Sequence, residues 1–182
     1  VKIVLGAADT SMPGWICTSS WTLDVTRHAH FERLLRGRTA NAFLAEHVWE
    51  HLTASQTALA NANCFRFLTP AGHFRIAVPD GLHPDPGYID RVRPGGTGAG
   101  ADDHKCLYDY RSLQSALQDA GFEVRLLEWW DEFGVFHHED WSSEDGHIER
   151  SRRYDERNRG GTLSYTSLIV DAVKPPNVTT GG

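Results

Sequence analysis

Phe43-Leu44-Ala45-Glu46-His47-Val48-Trp49-Glu50-His51 decides the fold. The apolar run Ala42–Ala45 has the character of a strand, and it ends on the acid–imidazole pair Glu46-His47. A second pair, Glu50-His51, follows, and Val48-Trp49 begins a helix. Both pairs then crowd the carboxyl end of one strand, the edge where open α/β sheets bind ligands. The same letters spell His-x-x-Glu-His, an inverted zinc-peptidase signature. On that alternative His47 and His51 share a zinc ion, Glu50 is the general base, and Asp80 or Glu139 supplies a third ligand. It requires one helix across both histidines, whereas the strand before them leaves His47 at a strand end. The short pattern is also easily met by chance among 10 histidines. No metal ligand is therefore assigned.

Working outward, Lys2–Leu5 is a short buried strand halted by Gly6. Gly14–Thr18 is a second strand, too close to the first for a crossover helix, so a loop turning at Pro13-Gly14 joins them. Thr22–Val25 reads as a third short strand and Phe31–Leu35 as a helical turn ended by Gly37. Leu52–Leu68 is helical, with Thr53 or Ser55 as cap. Pro70-Ala71-Gly72 leads into a strand over His73–Val78. From 79 to 104, Pro79, Pro84, Pro86, Pro94 and the Gly95–Gly100 run break all periodicity, and a loop of that length is more often functional than not. Leu113, Ala116, Leu117 and Ala120 mark an amphipathic helix closed by Gly121. Phe122–Trp129 and Thr162–Val173 form the closing strands, with a polar, irregular insertion over 131–161. Strand–helix alternation followed by a long hairpin predicts a mainly parallel sheet with an antiparallel edge. The expected unit is 1–175, with a flexible tail over 176–182.

Composition narrows the function classes. The chain has 182 residues, 40% hydrophobic and 23% charged, within the range of a globular domain. Its net charge of −6 argues against nucleic acid as a partner, which needs a basic face. The arginines at 150, 152, 153, 157 and 159 alternate with Glu149, Asp155 and Glu156 and read as a solvated, salt-bridged surface. No apolar run approaches the ~18 residues of a membrane span, and no signal peptide is recognised. Cys17, Cys64 and Cys106 are expected to be reduced thiols of a cytoplasmic protein.

In this order, Lys-Ile-Val-Leu-Gly, Pro-Gly-Trp-Ile, Leu-Asp-Val and Ala-Glu-His-Val-Trp-Glu-His-Leu, followed by Phe-Leu-Thr-Pro-Ala-Gly-His-Phe-Arg-Ile-Ala-Val-Pro-Asp and Ala-Gly-Phe-Glu-Val, resemble the small class I S-adenosylmethionine-dependent methyltransferases. The resemblance runs from Lys2 to about Pro175. It implies an α/β, Rossmann-like domain with a seven-stranded sheet, its last strand antiparallel and its first crossover helix reduced to a loop. It also implies S-adenosylmethionine as cofactor. The family's first loop carries Gly-x-Gly; here it is Gly6-Ala7-Ala8, with the second glycine lost. Where the family's second strand ends on a ribose-binding acid, this chain has Thr18-Ser19-Ser20, so that role falls either to these hydroxyls, as weaker substitutes, or to an acid from elsewhere. Asp24-Val25 corresponds to the adenine contact, and Glu46-His47 to the methionine end and transfer site.

Methyl transfer needs alignment and, for a hydroxyl or amine acceptor, a base near neutral pKa. His51 and His104 are the candidates chosen for that base, with Asp80 expected to face the same cleft and His47 and His83 as further imidazoles. Asp102-Asp103-His104 closes the Gly-rich loop and could fold over the ligand. The acceptor class reached by elimination is a small molecule or saccharide. Structural readings stay open beside these: Gly6 as a turn glycine, Asp24 as a turn residue, Glu50 at a helix start, and Trp49, Trp129 and Trp130 as packing. A catalytically inactive binding protein on the same fold is the alternative function, and the zinc hydrolase a lesser one.

Overall fold

The structure is a computed structural model and describes residues 1–7 and 11–176. Ala8 lies outside the described residues, as does the tail from 177.

Seven strands make one sheet: β1 (Lys2–Leu5), β2 (Ile16–Cys17), β3 (Ala40–Glu46), β4 (Leu68–Pro79), β5 (Glu123–Trp130), β6 (Phe136–His138) and β7 (Ser167–Val173). Their order is β2-β1-β3-β4-β7-β5-β6. β2, β1, β3 and β4 pair in parallel, and β7 enters antiparallel between β4 and β5. The helices are α1 (His28–Leu35), α2 (Ala54–Phe67), α3 (Pro86–Val92) and α4 (Tyr110–Gln118). The mainly parallel sheet with an antiparallel end is as expected. Among the described residues between β1 and β2 there is no helix.

Period-two alternation divides the core between two faces. Ile3, Leu5, Phe43, Ala45, Phe74, Ile76, Val78, Leu168 and Val170 pack on one face against Phe31 and Leu35 of α1, Ala60 and Cys64 of α2, and Leu113 and Leu117 of α4. Val4, Leu44, Ala77, Leu127 and Ile169 point to the other, where Ile148 and Trp141 cover them in place of a helix. Buried Arg75 secures that cover. Its guanidinium donates to both oxygens of Asp171 at 2.8 Å and to the carbonyls of Ser142 and Gly146 at 2.7 and 2.8 Å.

Five expectations are corrected. Thr22–Val25 is no strand: the N–H groups of Thr22 and Leu23 bond to the Ser19 carbonyl, and Asp24 accepts from both the N–H and hydroxyl of Thr26. Such local bonds replace a strand's ladder. The 79–104 segment contains α3, because Pro86 at the first helical position needs no N–H partner and Asp85 accepts from the Gly87 N–H. The 131–161 insertion contributes β6, turned back on β5 where Asp131 accepts from the N–H groups of Phe133 and Val135. The last strand begins at Ser167 rather than Thr162, since Asn158 holds Tyr165 through its N–H and its carbonyl instead. α2 begins at Ala54, two residues after the expected Leu52, with Thr53 as its cap in a Thr53–Gln56 capping box.

Candidate functional site

β1 leads to β2 on one side and the chain returns to β3 on the other, so the strand order reverses between β1 and β3. Crevices outside the carboxyl ends of strands at such a reversal are where open α/β sheets bind ligands. Gly6 stands at that end of β1 with φ +67, and a Cβ there would lie 2.6 Å from Val48 Cγ2. Only glycine fits both the left-handed conformation and the approach of the β3 exit.

At the end of β3, His47 turns the chain with φ 55 while its N–H still bonds the Ala77 carbonyl. Trp49–His51 is a single 3-10 turn, not the start of a continuous helix, so the peptidase arrangement of His47, Glu50 and His51 is not formed. Trp49 anchors the turn: it is fully buried, donates from Nε1 to Asn61 Oδ1 at 2.8 Å, and lies against Phe74. That anchor carries Glu50 into the interior, where it is 1% exposed and neither carboxylate oxygen has a hydrogen-bond partner. His47 Nδ1 lies 3.1 Å from Glu50 Oε1, but outside hydrogen-bond geometry. The Glu50 carbonyl accepts from the N–H groups of Lys105 and Cys106, which docks the far end of the Gly-rich loop on the turn.

This docking brings His104 to His51, with ring centroids 4.8 Å apart. One ring nitrogen of each and a Glu50 oxygen lie within 4.8 Å of one another. His51 Nδ1 pairs with Asp103 Oδ2 at 3.2 Å, and His104 Nδ1 donates to the Val92 carbonyl at 2.6 Å. In each neutral ring the engaged nitrogen carries the proton, and Nε2 keeps its lone pair. His47 is different, since its Nε2 contacts Ser167 Oγ at 3.0 Å.

The other expected residues are placed as follows. Asp80 is fully buried and accepts from the N–H groups of Leu82 and Trp130; burial pushes its pKa up to about 6. It holds the sheet edge rather than joining the imidazoles. His83 stacks on Tyr88 with centroids 4.0 Å apart and lines a separate cavity of about 450 Å³ with Pro84, Pro86 and Arg93. Glu46 accepts from the N–H groups of Glu149 and Arg150, fastening the late segment to the strand edge. Ala7 donates its N–H to the Thr18 carbonyl, and the Thr18 hydroxyl is engaged by Val4. Ser19 Oγ has only a 3.4 Å contact to Thr22, and Val25 is buried. At Asp24 burial opposes charge, but the bonds from Thr26 and the nearby Arg27 outweigh it and hold the carboxyl below its ordinary pKa.

The sequence marks every histidine of the cluster but reads Glu50 as a helix-start residue, whereas it is buried. The signal for its burial is Trp49: an indole in a one-turn segment directly after a core strand turns inward and takes its neighbour along.

No protein-family model matches the sequence, and no curated protein matches it. Solved structures do resemble it in fold. An S-adenosylmethionine-dependent methyltransferase from Mesorhizobium loti aligns with TM-score 0.54 at 12% identity, over 94% of this chain and 89% of that one. One from Archaeoglobus fulgidus aligns with TM-score 0.52 at 12% identity, over 95% and 85%. Human N-acetylserotonin methyltransferase, in complex with the cofactor, aligns with TM-score 0.50 at 7% identity, over 96% of this chain and 40% of that one. The chain therefore has the class I methyltransferase fold.

Proposed function

We propose that the protein transfers a methyl group from S-adenosylmethionine to an oxygen of a small-molecule or saccharide acceptor. The observation that carries this reading is the strand-order reversal between β1 and β3, flanked on one side by Gly6 and on the other by the Glu50–His51–His104 cluster. The sheet edge at which open α/β folds bind ligands and a set of proton-handling groups coincide there.

The cofactor side has groups that suit a nucleoside. Gly6 lets the β3 exit approach the β1 exit closely, with Val48 packed against it. Asp24 is an ionised acceptor, its side chain 38% exposed, and Ser19 has a hydroxyl with only a long internal contact. These two are assigned to the nucleoside's hydroxyl and amino groups, in place of an acid at the end of β2. Bound S-adenosylmethionine supplies a methyl on a sulfonium, with a neutral thioether as leaving group.

The chain's own contribution is alignment and proton removal. His51 and His104 present free Nε2 lone pairs, and one of them takes the acceptor's proton. Asp103 fixes the His51 ring and the Val92 carbonyl fixes that of His104. Asp80 keeps both exits of the adjoining strands in place and moves no proton. Titrating the purified chain with S-adenosylmethionine tests this reading: micromolar binding is expected, and weaker binding on replacing Asp24 with Ala.

A further inference from the structure

Glu50 is the feature that methyl transfer alone does not explain. A buried carboxylate is expected to be hydrogen-bonded or paired. This one is 1% exposed, and both of its oxygens lack a hydrogen-bond partner. The groups facing it are imidazoles: His47 Nδ1 at 3.1 Å, and a nitrogen each from His51 and His104 within 4.8 Å. No hydrogen-bond donor reaches either Glu50 oxygen, and His47 is a counter-charge to it only when protonated.

We propose that Glu50, His51 and His104 hold one divalent transition-metal ion of the zinc type, through a Glu50 oxygen and the Nε2 atoms of both histidines. Two histidines and one carboxylate, with a position left open, is a ligand set of zinc sites that bind an exchangeable oxygen. The second ring nitrogens are arranged as such sites require. Asp103 engages Nδ1 of His51 and a backbone carbonyl engages Nδ1 of His104, which fixes ring orientation and directs the lone pair to Nε2. A tetrahedral ion with bonds of about 2.1 Å holds its ligands about 3.4 Å apart, so the rings close by roughly 1 Å on binding.

The site differs from the His47-x-x-Glu50-His51 peptidase reading in both ligands and roles. His47 is not among the three residues whose ligand atoms lie within 4.8 Å of one another, Glu50 becomes a ligand rather than a base, and His104 arrives from a loop 53 positions beyond His51. The assignment of a use for the ion rests on the proposed methyl transfer: the open position would take the acceptor oxygen and lower its pKa, so that the hydroxyl proton passes to solvent water, the oxygen bonds the methyl carbon and the carbon–sulfur bond breaks to leave the neutral thioether. In the metal-free protein, where both Nε2 lone pairs are free, one of the two imidazoles takes that proton instead.

The test needs no acceptor and no cofactor. Metal-free full-length protein is titrated with zinc calorimetrically and with cobalt(II) by visible absorption. One equivalent is expected, with a cobalt spectrum of low coordination number. Glu50→Gln and His104→Ala should each weaken binding at least about 10-fold, and His73→Ala should not. Circular dichroism checks that each variant is folded, and the wild-type titration stands by itself if one is not. Absence of a stoichiometric site in the wild type, or wild-type affinity in both folded ligand variants, overturns the proposal. Failure of S-adenosylmethionine to bind while zinc binds removes the methyltransferase reading and leaves the metal site.

Discussion

His51 Nδ1 and Asp103 Oδ2 lie 3.2 Å apart across 52 positions of sequence, joining the turn after β3 to the loop that precedes α4. Around the same junction the Glu50 carbonyl accepts from the Lys105 N–H at 2.7 Å, and Lys105 Nζ pairs with Asp103. Two of these contacts fasten the Gly-rich loop to the site, and the Lys105–Asp103 pair braces the loop internally. The ion pair is exposed, and pairs of that kind contribute little to stability. Asp103→Ala should therefore leave global stability almost unchanged while loosening the loop. Trypsin cleavage at Arg93 or Lys105 should rise several-fold with the melting temperature almost unchanged. Unaltered cleavage would show that the backbone bonds alone hold the loop.

Gly6 and Val48 set the distance between the β1 and β3 exits. Gly6→Ala combines a left-handed φ with a Cβ 2.6 Å from Val48 Cγ2, and should cost about 1–3 kcal/mol in urea unfolding. Adding Val48→Ala should restore the part due to the clash and leave the part due to φ. Full recovery in the double variant would mean that the backbone conformation itself carries no cost.

Arg75 makes a prediction about the face that lacks helices. It is 1% exposed, pairs with Asp171, and donates to two carbonyls of the segment that covers Leu44 and Ile169. Arg75→Ala should destabilise the protein by about 3–5 kcal/mol, because the carboxylate and both carbonyls lose their partner together. The double variant Arg75→Ala/Asp171→Ala should be less damaged than the sum of the singles. Additive losses would show that the pair is not coupled.

Asp80 makes stability depend on pH. Burial raises its pKa from 3.8 in the reference state to about 6 in the fold. The native state then binds the proton more tightly than the unfolded chain. Its stabilising contribution is fully present below about pH 4 and is lost as pH rises through about 6. Compared with Asp80→Asn, the wild type should gain up to about 3 kcal/mol of stability between pH 7 and pH 4. Parallel denaturation midpoints for the two proteins across that range would contradict the burial argument.

Much of the sheet was legible because its strands alternate or run apolar. Phe43, Leu44 and Ala45 announce a buried strand, and the acids and imidazoles after them announce its ligand edge. Where side chains bond to their own backbone the pattern misleads. Thr22–Val25 looks extended, but Thr22 and Asp24 have nearer partners than another strand. Proline hides α3, since Pro86 signals a break unless it is taken as a first helical residue. The site was half legible. His51 and His104 were found as imidazoles beside a cleft, whereas the burial of Glu50 depends on Trp49 finding Asn61 and Phe74, partners distant in sequence.

The most direct test of the central claim is calorimetric titration of the metal-free protein with S-adenosylmethionine and S-adenosylhomocysteine. The account predicts micromolar binding of both, weakened by Asp24→Ala, with Ser19 and Asp24 serving where the second strand lacks an acid. No heat and no thermal shift with either compound would contradict it, leaving a methyltransferase fold without its cofactor.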